Sequence, residues 1–181
     1  MGKVTRRSAQ RYFPLGFLIG MIAIMCCIGI VFFTCGSVEV TVKVGAEAPD
    51  FSLPTIDGDT LTLSDLRGQP VVLTFWTTGC GACLYQMPFF QVAQEEMGQE
   101  VTIVAIDIGE SGSLIQQFAE YYGYNFTFAL DYDGSVMYAY NIVGTPTNFF
   151  IDEDGIIQDI VIGAYQYEYQ LMQALEDLLH S

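Results

Sequence analysis

Basic side chains are scarce in this sequence and unevenly placed. Of six lysines and arginines, four (Lys3, Arg6, Arg7 and Arg11) precede the first long apolar run, and only Lys43 and Arg67 follow it. All 21 acidic residues lie from Glu39 onward, so the segment 36–181 carries a net charge of −19. A surface of that sign repels nucleic acid and anionic lipid, favours basic partners and stays well solvated, so no nucleic-acid partner is expected. Histidine is rarer still, His180 standing alone beside the C-terminus. A structural zinc site needs four ligands, and one Cys-x-x-Cys pair (Cys80, Cys83) supplies only half of them. The other three cysteines, Cys26, Cys27 and Cys35, belong to an apolar N-terminal stretch. The same shortage argues against Cys–His hydrolases and against copper held by two cysteines and a histidine. No metal or separate cofactor is expected, and no internal repeat or low-complexity segment occurs.

What is present begins with an anchor. Leu15 to Phe33 is nineteen uncharged, mostly apolar residues, long enough as a helix to span about 28 Å of hydrocarbon. Four basic residues before it and none in the nine after it put the N-terminus in the cytoplasm and the rest of the chain outside. A cleaved signal peptide has a shorter apolar run and a small-residue cleavage site, which Phe32-Phe33-Thr34-Cys35 does not offer. Thr5-Arg6-Arg7 is a weak twin-arginine echo, because polar residues follow it. Acylation of Cys35, at the membrane boundary, is the less favoured alternative to a plain retained anchor. The expected organisation is a basic cytoplasmic terminus at 1–14, a transmembrane signal anchor in the lipid bilayer at 15–34, a linker at 35–44 with alternating valines, and one globular domain at 45–181.

The domain reads as α/β. Asp57-Gly58 marks a hairpin between Ala48–Leu53 and Thr60–Leu63, and Ser64–Gly68 a short helical turn. Val71–Trp76 is an apolar, β-branched run with the character of a buried strand. A helix is expected from about Cys83 to Met97, with Met87, Phe90 and Ala93 on its apolar stripe. Val101–Ile106 follows as a strand parallel to the first. A helix over Ser113–Tyr122, a strand over Phe126–Leu130 and a helical turn over Val136–Tyr140 come next. The chain closes with a hairpin of Thr147–Asp152 and Gly155–Ile162 and a helix over Tyr167–Leu179. Asn125-Phe126-Thr127 matches a glycosylation sequon by pattern, discounted here on the expectation that it is buried.

Chemistry concentrates where the Val71–Trp76 strand hands over to the next helix, at Gly79-Cys80-Gly81-Ala82-Cys83. Free backbone N–H groups and the positive end of a helix dipole meet there, and both stabilise a thiolate at Cys80. Two residues of spacing let Cys83 reach back and close a small, reducible ring, so this is a redox pair. A second constellation, Gly144-Thr145-Pro146-Thr147, places proline at the entrance of an apolar strand, where it marks a turn or a cis bond.

Cys-Gly-Ala-Cys after Phe75-Trp76, with Thr145-Pro146-Thr147 before Asn148-Phe149-Phe150-Ile151-Asp152, resembles the thioredoxin fold. More narrowly, Gly45 to about Leu179 resembles the membrane-anchored TlpA/ResA-like thiol-disulfide oxidoreductases of the redoxin group. Ala48-Pro49-Asp50-Phe51, Leu63–Gly68 and Val104–Ser111 carry that resemblance together with the motifs above. It implies a thioredoxin-like fold with an N-terminal hairpin and a central helix–strand insertion between Asp107 and Tyr140. It also implies a cis proline at Pro146 beside the cysteines, with Thr145, Pro146 and Trp76 meeting the substrate. The implied activity is exchange with protein thiols and disulfides, as a reductant of the cytochrome c biogenesis type fed by a membrane thiol electron carrier. The chain departs from the family at Gly79 and Ala82, and where relatives carry a carboxylate near the cysteines it has Thr74 and Gln86. Glu110 is the nearest remaining candidate acid, and Gln86 and Glu110 are expected to support the pair. Two rivals remain. A thiol peroxidase is suggested by Thr77-x-x-Cys80, although the proline of that signature is Leu73 here and no arginine follows Arg67. The other is a tethered assembly factor that only holds clients.

Overall fold

The computed structural model describes residues 42–181. The expected anchor, most of the linker and Cys26, Cys27 and Cys35 lie outside the described residues. Among the described residues, no helix is long and apolar enough to cross a membrane.

A five-stranded sheet forms the centre, in the order β5-β4-β3-β6-β7. Its strands are β3 (Val71–Trp76), β4 (Thr102–Ile108), β5 (Thr127–Asp131), β6 (Thr147–Ile151) and β7 (Ile157–Ile162). β3, β4 and β5 run parallel, whereas β6 and β7 are antiparallel to their neighbours. All six residues of β3 are buried, as expected of a central strand covered on both faces, which is why it reads as an unbroken apolar run. A separate two-stranded ribbon precedes the sheet, pairing β1 (Ser52–Pro54) with β2 (Thr60–Thr62). A single 3-10 turn over Leu63–Leu66 leads on toward β3.

Strand periodicity sorts the core into two layers. Val72, Trp76 and Ala105 face one side of the sheet, where they pack with Cys83, Met87 and Phe90 of α1 (Gly81–Met97), Ile115 and Ala119 of α2 (Gly112–Tyr122), and Leu171 and Leu175 of α4 (Glu168–Leu179). Val71, Leu73, Phe75, Val104 and Ile106 face the other side, under Phe51 and Leu53 of the N-terminal segment and Val136 of α3 (Ser135–Ala139). Both crossover helices, α1 and α2, lie on one face because two right-handed strand–helix–strand units step in the same direction. Tyr140 ties the second layer together. Its ring packs against Phe75 at 5.2 Å and Phe149 at 5.0 Å, and its hydroxyl donates to the Pro49 carbonyl at 2.8 Å.

Two boundaries differ from expectation in ways that matter. The helix expected from Cys83 begins at Gly81, with Cys80 as its N-cap. Asn125 is exposed, and its side-chain oxygen accepts a hydrogen bond from Gln91 at 3.0 Å. The expected burial of the sequon is therefore corrected at Asn125 itself, which precedes β5, whereas Phe126 is buried and Thr127 half-buried.

Candidate active site

β3 ends at Trp76, and Thr77 to Gly79 turn the chain into α1. The turn closes through Cys80 N–H donating to the Thr77 carbonyl at 3.2 Å. Cys80 and Cys83 form a disulfide across the first turn of α1. Cys80 takes the N-cap position that serine or aspartate usually fills, and its sulfur accepts the Cys83 N–H at 3.1 Å. A helix N-terminus leaves its first N–H groups without partners, so sulfur here supplies a missing acceptor. In the dithiol state the same amide and the helix dipole stabilise a thiolate at Cys80. The two sulfurs are not equivalent: Cys80 is half-buried, and Cys83 has no exposed surface.

The loop before β6 closes over this turn. The Thr145–Pro146 peptide is cis, and the Thr145 carbonyl oxygen lies 3.5 Å from the Cys80 sulfur. Thr145 is partly exposed and Pro146 buried. The sheet register brings this about. β6 runs antiparallel to β3 with Phe75 opposite Thr147, so the residues entering β6 lie beside those leaving β3. Cys80, Cys83, Thr145 and Pro146 are thus brought together from two stretches far apart in sequence.

Trp76 does not meet a client as expected. It is fully buried, with Phe118 at 4.9 Å and Phe128 at 5.7 Å between ring centroids. Its position in β3 turns the indole into the helix-covered layer, in the same core cluster as Cys83.

Gln86 is fully buried one turn after Cys83 and does not reach solvent. Its Nε2 donates to Thr74 Oγ1 at 3.2 Å and to Asn148 Oδ1 at 3.1 Å, and its Oε1 accepts the Tyr165 N–H at 3.3 Å. Thr74 and Asn148 are cross-strand partners in the register of β3 and β6, so one amide joins α1 to two strands and to the loop after β7. Asn148 itself escapes notice in the sequence, because a polar residue in an apolar strand gives no hint of its partner.

Glu110 sits on the opposite side of the turn and clamps it. Its carboxylate accepts the Thr78 N–H at 2.6 Å and the Thr78 hydroxyl at 2.5 Å. Glu110 is in turn fixed by Asp107, whose Oδ1 accepts the Glu110 N–H at 3.0 Å. Asp107 is fully buried, and its second oxygen has no donor partner. Burial above all, with the neighbouring Glu110 carboxyl acting in the same direction, pushes the Asp107 carboxyl up to about 8. Burial also pushes Glu110 upward, but the neighbouring Asp107 carboxyl and the hydrogen bonds from Thr78 outweigh it and leave the carboxyl below its ordinary value. The two neighbouring carboxyls are thus pushed in opposite directions, Asp107 toward its protonated form and Glu110 toward its charged one. Thr78 and Asp107 were not legible as site residues; the one available signal was an acidic residue inside the apolar run of β4.

The AhpC/TSA family pattern matches residues 44–160. The chain is 36% identical over 128 residues to the thioredoxin-like protein YneN of Bacillus subtilis, covering 69% of this chain and 75% of that one. It is 35% identical over 150 residues to the thiol-disulfide oxidoreductase ResA of Geobacillus kaustophilus, covering 82% and 86%. Among solved structures, a secreted Mycobacterium tuberculosis disulfide oxidoreductase homologous to Escherichia coli DsbE superposes with a TM-score of 0.65 at 28% identity, covering 70% of this chain and 95% of that one.

Proposed function

Because this chain belongs to the AhpC/TSA family, as a thiol-disulfide oxidoreductase of the TlpA/ResA-like redoxin group, we propose that it reduces protein disulfides outside the cytoplasm while tethered to the membrane by residues 15–34. The observation that carries the reading is the asymmetry of the pair, a half-buried Cys80 at a helix N-cap with a fully buried Cys83 behind it.

In the reduced protein, the Cys80 thiolate attacks one sulfur of a client disulfide. The client S–S bond breaks, a client thiolate leaves, and a mixed disulfide joins the client to Cys80. Cys83 then gives up its proton and attacks the Cys80 sulfur, expelling the second client thiolate. The client gains two electrons, and the enzyme is left with the Cys80–Cys83 disulfide. The N–H of Cys83 is aimed at the Cys80 sulfur and favours its anionic form. The Thr145 carbonyl beside Cys80 is placed to meet an extended client backbone. Return to the dithiol needs an outside reductant, for which the family resemblance favours a membrane thiol carrier. The same resemblance and the ResA relative favour a place in cytochrome c maturation.

Peroxide reduction fits less well. Arg67 precedes β3 whereas the disulfide follows it, and its guanidinium is engaged with Glu47 at 2.8 Å.

Equilibration of the pair against a glutathione or dithiothreitol couple tests the direction. A potential near the thioredoxin value of about −270 mV is expected, and one near the DsbA value of about −120 mV would make the protein an oxidant instead. Orientation is tested separately: protease added to spheroplasts is expected to digest the domain, and full protection until lysis would reverse the topology.

A further inference from the structure

An aromatic groove opens beside the disulfide turn and takes no part in the chemistry above. It encloses about 620 Å³ and is lined by Thr78 of the turn and by Leu114, Phe118, Glu120, Tyr121 and Tyr122 of α2. That volume lies within the range of about 300–1,000 Å³ common for binding sites. Three of its apolar residues are unusually open to solvent, with relative exposures of 43% at Leu114, 82% at Tyr121 and 54% at Tyr122. Aromatic contacts join this groove to the core. Phe118 packs between the buried Trp76 and Tyr122, at 4.9 Å from each with its plane tilted to both, and Tyr122 stacks on Tyr124 with ring planes 14° apart. An aromatic ladder thus runs from the buried Trp76 outward to the surface tyrosines.

The charge around this ladder has one sign. Glu120 lies in the groove, and Glu110 backs Thr78. No lysine or arginine follows Arg67 in the sequence, so every charge that α1, α2, β4 and β5 can bring near the groove is negative apart from the helix dipoles. Exposed tyrosine faces beside carboxylates suit a cation, which gains from the ring quadrupole and from the acid together. Continuity with the reaction centre fixes where such a ligand must come from, because Thr78 lines the groove and lies two residues before Cys80.

Resting on the oxidoreductase reading above, we propose that the α2 groove seats a lysine- or arginine-bearing stretch of client polypeptide next to the cystine being reduced. The groove then selects among clients by the residues flanking their disulfides. Cys80 and Cys83 carry out the exchange whichever client is bound.

Three model peptides with the same cystine, flanked by lysine, serine or leucine, test this with the full reduced protein. The readout is the ratio of reduction rates within each protein. The lysine peptide is expected to exceed the serine peptide by about fivefold at low salt, with most of the gap lost at high salt. In Tyr121→Ala and in Glu120→Gln the ratio is expected to fall toward one. Equal rates for lysine and serine peptides in the unaltered protein would overturn the proposal. So would a lysine preference surviving in both variants, since it would then belong to the net charge of the whole domain. A leucine peptide outrunning the lysine peptide would assign the groove to an apolar segment and overturn it likewise. Failure to reduce even hydroxyethyl disulfide would refute the oxidoreductase reading itself, an outcome distinct from all of these.

Discussion

Replacing Asp107 by asparagine should remove a pH dependence of stability that is built into this fold. Asp107 is fully buried, and its carboxyl is pushed from 3.8 to about 8, chiefly by burial. Between those values the folded protein keeps a proton that the unfolded chain has already lost. The native state therefore binds more protons than the unfolded state, and stability must fall as pH rises through this window. One fully linked group contributes about 1.4 kcal/mol per pH unit, so the whole interval amounts to roughly 6 kcal/mol. Glu110 acts with the opposite sign. Its lowered carboxyl contributes stability that is present above its unfolded value and lost as pH falls through its folded one, at pH values below the Asp107 window. Asparagine keeps an oxygen to accept the Glu110 N–H but cannot ionise. Urea unfolding of the oxidised proteins, at unit steps from about pH 5 to about pH 9, measures the difference between variant and parent. With the disulfide closed the two thiols do not titrate, and repulsion among the other acids is common to both proteins. The difference should grow in favour of asparagine with each step and level off above about pH 8. A difference constant across the series would refute the assignment of the proton to Asp107.

Three further outcomes follow from the site. Gln86→Glu loses both donors to Thr74 and Asn148 and buries a carboxylate behind Cys83. It should cost at least about 2 kcal/mol and raise the apparent pKa of the thiol pair; superimposable thiolate absorbance titrations would rule this out. Cys83→Ser should accumulate a client mixed disulfide on non-reducing gels whereas Cys80→Ser should not, and the reverse would exchange the two roles. Tyr140→Phe strips the Pro49 carbonyl of its donor and should destabilise the domain by about 1–2 kcal/mol, read as a shift in the urea midpoint with an unchanged slope.

Local rules carried the sequence a long way. An apolar run with β-branched residues, ended by Gly79, determined β3 and the turn that presents Cys80. Apolar spacing determined α1 and α4, and the glycines at Gly123 and Gly155 determined where α2 and the last hairpin turn. Both glycines have positive φ, +72° and +79°, which disfavours any residue with a Cβ. The cysteine pair and Thr145-Pro146 were legible for the same reason, since each is a short motif whose chemistry is complete within a few residues.

Only the tertiary structure decided the rest, because strand order and burial are long-range properties. Pairing β6 against β3 set Asn148 opposite Thr74 and so gave Gln86 its partners. Pairing β4 beside β3 placed Asp107 opposite Trp76, and packing under α2 took Trp76 away from any client and made it the first rung of an aromatic ladder. A carboxyl's letter in the sequence is the same whether it is solvated or enclosed. The fold removes the water from Asp107 and Asp131 alike, but it aims the N–H groups of Val136 and Met137 at Asp131 and leaves one oxygen of Asp107 without a partner.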